Sequence, residues 1–316
     1  MTYTVSLIST EENAALSLRY LKLVRYEIKS EIYGCCIKLL CSDHTLRDTW
    51  EDNFYSMSQN VRSHGRLFVF NDPSYQPDTV LFDPQSKTVF ILNLGYYGWI
   101  KSIALSLTGD ILEDEHGIWS VHGACLDIEG KGLALVGLPG SGKTTQTYGL
   151  LTSPATRVIS DDWFFFRVYG DDVLGYGSEK NFYIQEELAT IWKEFGGLVS
   201  GQTYDSDRRT VADVRWVIGK GRILPLTTIK TLIVLKRDPT DPDMATSLDP
   251  EIGMKLFAEN NYFNPHLLVR NSHKMHVRNE YFHDLLTRSQ CYCVNTTGTP
   301  QETQKLIRSL ANVKQS

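Results

Sequence analysis

The stretch Leu133-Ala134-Leu135-Val136-Gly137-Leu138-Pro139-Gly140-Ser141-Gly142-Lys143-Thr144 decides the fold of this chain. Its four leading apolar residues read as a buried strand, and a helical stretch follows the last of them as far as Leu151. Between them, Gly137 to Thr144 fits the pattern G-x-x-x-x-G-K-[ST] with no substitution. Average residue usage gives roughly a 1% chance of that pattern arising somewhere in a chain of this length. The context is the one the chemistry needs. Glycines let successive backbone N–H groups turn inward around an anion, and the positive end of the following helix adds to the attraction. Lys143 can reach β and γ phosphates, and the Thr144 hydroxyl can take a place on Mg²⁺. Gly137, Pro139, Gly140, Ser141, Gly142, Lys143, Thr144 and Thr145 are therefore the candidate nucleotide-binding residues. The bland alternative is a glycine-rich turn before an ordinary helix.

Upstream, Val121 to Ile128 reads as one strand and Glu129-Gly130-Lys131-Gly132 as its turn. His122 stands at the start of that strand, in Ser120-Val121-His122-Gly123-Ala124. A lone histidine is most often structural, although Gly123 beside it permits close approach of another backbone. Downstream, Arg157 to Ser160 is a short strand ending in Asp161-Asp162. Twin acids there suit a division of labour: one carboxylate holds a metal, and the other accepts a proton from an attacking hydroxyl. An ordinary aspartate pair at a strand end is the alternative. A switch GTPase would carry a base-reading Asn-Lys-x-Asp motif, which the sequence lacks. A motor ATPase would run a long apolar strand into its acidic pair, whereas only Val158 and Ile159 precede this one.

Basic residues concentrate further on, at Lys180, Arg208, Arg209, Arg215, Lys220 and Arg222. Phosphoryl transfer needs cations around the moving group, and a guanidinium clamps two oxygens at once. Arg215 and Arg222 flank the Gly219-Lys220-Gly221 turn and are the preferred pair; for each, a solvated surface position is the alternative. Gly177 to Tyr183 reads as a substrate wall or as a plain loop entering a helix over 184–195. Strands at Thr228–Leu235 and Cys291–Asn295 and a helix from Thr299 to Ala311 complete an α/β pattern.

Residues 1–116 have a different texture. A helical stripe spans 11–29, strands follow at Ile37–Cys41, Arg66–Phe70, Val80–Phe82 and Thr88–Leu92, and a helix runs from Tyr97 to Glu115. Asp83-Pro84-Gln85 marks a hairpin between the last two strands. The expected division is an α+β accessory region over 1–116, free to select the substrate, and a catalytic domain over 117–316.

Composition narrows the class. With 316 residues, 42% hydrophobic and 22% charged, the chain has ample core and is neither disordered nor fibrous. No apolar run approaches the ~18–20 residues of a membrane span, so no membrane partner is expected. The six cysteines form no CxxC pair and lie among apolar residues, which reads as reduced thiols in a cytoplasmic protein. A net charge of −5 argues against a nucleic-acid partner while permitting a local basic pocket.

His122-Gly123-Ala124, a turn, the phosphate loop and then Ser160-Asp161-Asp162 together resemble the kinase domain of bacterial HPr kinase/phosphorylase. That family belongs to the wider fold group of ATP-dependent phosphoenolpyruvate carboxykinases. The likeness covers roughly residues 117–240, with looser echoes at Asn264–Leu268 and Val294–Thr296. Ala212-Asp213-Val214 and then Gly219 to Ile223 are similar to the family's Asp-Val segment and its G-x-G turn. The resemblance implies a P-loop kinase core, with Asp161 as proton acceptor, Asp162 as a metal ligand beside Thr144, and His122 near the reacting phosphate. The family's signature also has a Glu and an Arg before the Asp-Val. Here that stretch is Tyr204 to Thr210, and Asp205, Glu179 or Glu187 are the acids available for the Glu's role. Residues 1–116 do not look like the family's regulatory domain, which turns attention from the HPr carrier to the group's relatives. Those phosphorylate free serine or the terminal serine of a lasso-peptide precursor. The expectation is a kinase using ATP and Mg²⁺ on a serine hydroxyl of a peptide, protein or small molecule. A homo-oligomer is among the expectations, since relatives assemble. The alternatives are a carboxykinase-like enzyme and a module that senses ATP without turnover.

Overall fold

Residues 3–311 are described by the structure, a computed structural model. They fall into two units. One runs through Gly117 and takes in His266–Asn271; the other comprises Ile118–Pro265 and the chain from Ser272 onward.

In the first unit, helix α1 (Thr10–Leu21) opens on a capping box: Glu12 N–H donates to Ser9 Oγ, and Ser9 N–H donates to Glu12 Oε2. The expected helix over 11–29 stops at Leu21, because the burial period changes from helical to two. From Tyr26 to Ile32 alternate residues Ile28, Ser30 and Ile32 turn inward as strand β2. Leu18, Leu21 and Leu23, which extended the apolar stripe in sequence, are exposed. With β1 (Thr4–Leu7), β3 (Cys35–Cys41), β4 (Tyr55–Ser56), β5 (Gly65–Phe70), β6 (Thr79–Asp83) and β7 (Thr88–Leu92), a seven-stranded mixed sheet forms in the order β1-β6-β7-β5-β3-β2-β4. The hairpin at 83–88 is present, with Asp83 opposite Thr88. Helices α2 (His44–Asn53) and α3 (Tyr97–His116) complete the unit, and Tyr20, Leu40, Phe68, Phe70, Phe90 and Leu92 cluster as one of its apolar cores.

Asp72 ties α1 to this core. It accepts from Ser74 Oγ at 2.6 Å, Ser74 N–H at 2.9 Å and Tyr20 Oη at 2.7 Å, with the Arg19 guanidinium 2.5 Å away. Those bonds, from Ser74 first, then Tyr20, hold its carboxyl down at about 2. A carboxylate whose folded value is depressed stabilises the fold above its unfolded range and loses that contribution as pH falls through the folded value. Thermal unfolding of the full chain should therefore lose stability between about pH 4 and pH 2, and the Asp72→Asn protein should show a shallower slope there.

The second unit is built on a nine-stranded sheet. Its strands are β8 (Trp119–Val121), β9 (Gly123–Ile128), β10 (Lys131–Gly137), β11 (Thr156–Ser160), β12 (Phe164–Tyr169), β13 (Asp172–Gly177), β16 (Leu226–Lys236), β17 (Ala245–Ser247) and β18 (Gln290–Asn295). Strands β14 (Phe182–Gln185) and β15 (Arg209–Ala212) make a separate ribbon. The order is β11-β9-β10-β16-β13-β12-β8, with β18 on the far half of β16 and β17 on β18. The single strand expected over 121–128 is broken at His122, because its two parts have different neighbours. β8 pairs with β12, while β9 pairs with β10 and β11, so the sheet curls until its path returns to the segment where it began. Gly123 sits at the break: a Cβ there would lie 2.5 Å from the Leu135 carbonyl oxygen.

β10, β16 and β18 are mutually parallel, and β11 runs with them because β10 and β11 both lie antiparallel to β9. Four carboxyl ends therefore share one edge, where open α/β sheets place their ligands. Helix α4 (Lys143–Leu151) leaves that edge and packs with the helix Pro300–Leu310 over a core of Leu126, Leu133, Leu135, Leu150, Val158 and Ile307. The helix expected over 184–195 is instead β14, a short helix at Leu188–Ile191 and a 3₁₀ turn at Lys193–Phe195. Among the described residues the six cysteines are free, five of them buried, and no helix is long and apolar enough to cross a membrane.

Candidate nucleotide and phosphoryl-transfer site

At the carboxyl end of β10 the chain folds tightly. A Cβ on Gly137 would fall 2.5 Å from both the Leu235 carbonyl oxygen and Ser141 Oγ, so no larger residue fits without moving backbone. Gly140 and Gly142 take φ of 79° and 94°, the left-handed region that turns the loop back over the start of α4. Leu138, Pro139 and Gly140 form an exposed rim, Thr144 and Thr145 are half-buried, and Lys143 is buried. Lys143 Nζ donates to the carbonyls of Gly137 at 2.8 Å and Leu138 at 3.4 Å, which closes the loop and leaves a third N–H. Burial lowers its pKa; Asp162 pulls the other way and Arg209 adds to the lowering. Ser141 Oγ is buried and makes no hydrogen bond among the described residues. A glycine cradle at a helix N-terminus, an inward lysine and an unsatisfied hydroxyl together fit phosphate oxygens.

The carboxylates come from the end of β11. Ser160 and Ser178 hydroxyls both donate to the Trp163 carbonyl, locking the turn that carries Asp161 and Asp162. Asp161 is 2% exposed, and Tyr148 Oη donates to its Oδ2 at 3.2 Å. Asp162 is more open: its Oδ1 lies 3.1 Å from His122 Nε2, and His122 stacks at a tilt on Trp163 with ring centroids 5.6 Å apart. The break between β8 and β9 thus puts His122 on the acidic turn.

Glu179 joins the same neighbourhood. Burial raises the Tyr148 pKa well above the phenol's ordinary value, and the charges of Asp161, Glu179 and Asp162 add to the rise. Glu179 is brought there by Gly177, where a Cβ would meet the Ile159 carbonyl at 2.7 Å. The other two acids named for that role are Asp205 and Glu187. Asp205 organises the loop before β15, accepting from Tyr183 Oη and from the backbone N–H groups of Asp207 and Arg209, and Glu187 is exposed.

The basic residues separate. Arg215 donates Nε and Nη2 to the two oxygens of Asp213 at 2.6 and 2.8 Å and Nη2 to Asn181 Oδ1 at 2.9 Å. Burial pushes Asp213 up, but its bonds and charge pairing with Arg215, and nearby Lys180, outweigh this and hold it low. Arg222 is not brought to the phosphate loop. Its guanidinium donates to the carbonyls of Leu151, Ser153 and Thr156 at 2.7, 2.6 and 2.8 Å, at the opposite end of α4 from Lys143. It ties the last carbonyl of α4 to the turn that follows and to the first residue of β11. Arg222→Ala should cost about 2–4 kcal/mol of stability in denaturant unfolding, with nucleotide affinity unchanged in the folded fraction. The cation coupled to Lys143 is Arg209, which also lies over the Tyr183 ring at 5.6 Å.

Thr144 and Asp162 offer hard oxygen donors of the kind Mg²⁺ takes. Among the described residues no group of three or more His, Cys, Asp or Glu is disposed to hold a metal without help, so a cation here would be shared with phosphate oxygens and water.

No protein-family model matches the chain, and no curated protein matches it by sequence. Among solved structures the chain is similar to the HPr(Ser) kinase/phosphatase from Coxiella burnetii, at 18% identity over 42% of this chain and 71% of that one, with a TM-score of 0.28.

Proposed function

We propose that this protein is a kinase that transfers the γ-phosphate of ATP to a serine-type hydroxyl of a peptide, protein or small molecule. The observation that carries the reading is the meeting, on one sheet edge, of the 137–144 loop with Asp161, Asp162 and His122. Loop amides and Lys143 hold the β and γ phosphates. Thr144 and Asp162 hold Mg²⁺, which neutralises charge on the phosphates when bound. Asp161 takes the proton of the attacking hydroxyl as its oxygen bonds phosphorus and the bond to ADP breaks. His122 orients the Asp162 carboxylate through the hydrogen bond they share. Arg209, in electrostatic reach of Lys143, is the cation we assign to the transferring group; Arg215 holds Asp213 and the ribbon end.

The carboxyl groups favour this reading over a module that binds ATP without turnover, since sensing needs no second buried acid beside the metal carboxylate. The test is incubation with MgATP and a panel of free serine, serine-bearing peptides and candidate proteins, read by mass spectrometry. One acceptor should gain a single phosphoryl group on serine while ADP accumulates. ATP bound with no phosphorylated product across the panel would favour the sensor, and ATP consumption that depends on oxaloacetate would favour a carboxykinase.

A further inference from the structure

We infer that Tyr148 is a positioning residue for the proton-accepting carboxylate, an inference that rests on the kinase reading above. Tyr148 belongs to α4, the helix whose first residue is Lys143. Its ring is fully buried and meets Phe195 edge to face, with centroids 5.0 Å apart. Its hydroxyl donates to Asp161 Oδ2 at 3.2 Å. Packing alone would be served by phenylalanine, because a buried phenol without a partner costs its desolvation. The hydroxyl therefore has a reason in Asp161.

That reason is geometric. The terminal torsion of an aspartate is broad, so a carboxylate at a strand end does not fix its own plane. A phenol locked in a helix does. The same rigid helix that presents its N-terminus to the phosphates thereby sets the plane of the carboxylate that must meet the attacking hydroxyl. Distance and angle between donor phosphate and proton acceptor then depend on α4 rather than on a loop. Misorientation at a reacting centre is costly even when binding is intact. Burial and the adjoining acids keep the Tyr148 phenol protonated, so it acts as a donor and takes no proton itself.

The test is Tyr148→Phe in the full chain, in the wild-type and the Asp161→Asn backgrounds, with single-turnover rates and ATP affinity measured for all four proteins. In the wild-type background transfer should slow about tenfold, with ATP affinity and acceptor KM unchanged. In the Asp161→Asn background the same change should cause no further loss, since the group it positions is gone. An unchanged rate, or an equal loss in both backgrounds, would overturn the inference while leaving the kinase reading intact. A wild type that transfers nothing overturns both. If the phenylalanine protein fails to fold, 4-fluorophenylalanine at 148 keeps nearly the phenol's volume without a donor, and the same pair of rates applies.

Discussion

Lys143→Ala should bind MgATP on the order of 10²-fold more weakly than the wild type, and phosphoryl transfer should be lost with it. The size follows from the lysine's position. It is buried beneath the loop, with two N–H groups committed to the Gly137 and Leu138 carbonyls. Its removal takes away both the charge facing the phosphates and the clasp that holds the loop in its anion-binding shape. Burial disfavours the ammonium in the free protein, Asp162 offsets part of this and Arg209 adds to it, and an incoming polyanion would favour the charged form further. Calorimetric titration with MgATP measures the loss directly. Lys143→Arg should not rescue it, because a planar fork cannot make the same two bonds within the loop.

Asp161→Asn should do the opposite to binding. We expect transfer to fall about 10³-fold, the range for removing a general base, while MgATP affinity stays the same or tightens slightly. Deleting a negative charge beside bound phosphates cannot weaken their attraction to the site, and the amide keeps the side chain's shape and can still accept from Tyr148. A transfer rate near that of the wild type in a γ-phosphate assay would sink the base assignment. Weakened MgATP binding with transfer otherwise normal would instead assign Asp161 to the metal.

The parts of the site that could be read from sequence are those whose chemistry is contiguous. Gly137 to Thr144 carries its strand, its turn and its helix in one run, so spacing alone names the loop. Asp161, Asp162 and His122 could be named as candidates because each ends or begins a strand. Their meeting could not be read, since it depends on β9 lying between β10 and β11. Tyr148 was hidden for another reason: an aromatic in an apolar helix reads as core, and its core packing is real. Arg222 misleads in the reverse direction. It flanks a glycine turn beside other cations, yet the turn brings it to the end of α4, where three backbone carbonyls claim it. Arg209 has no spacing signal, and its reach to Lys143 comes from the ribbon it shares with Tyr183. In the first unit the stripe over 11–29 failed because exposed Leu18, Leu21 and Leu23 imitate a helical face that β2 then abandons.

A ³¹P spectrum of MgATP with stoichiometric protein, taken before and after adding the serine-bearing acceptor, tests the loop and the carboxylates together. The predicted result is a shift of the β and γ resonances on binding, then replacement of the γ signal by a phosphomonoester as ADP appears. Unshifted resonances would contradict the phosphate site, and a shifted γ signal that persists with every acceptor would contradict catalysis.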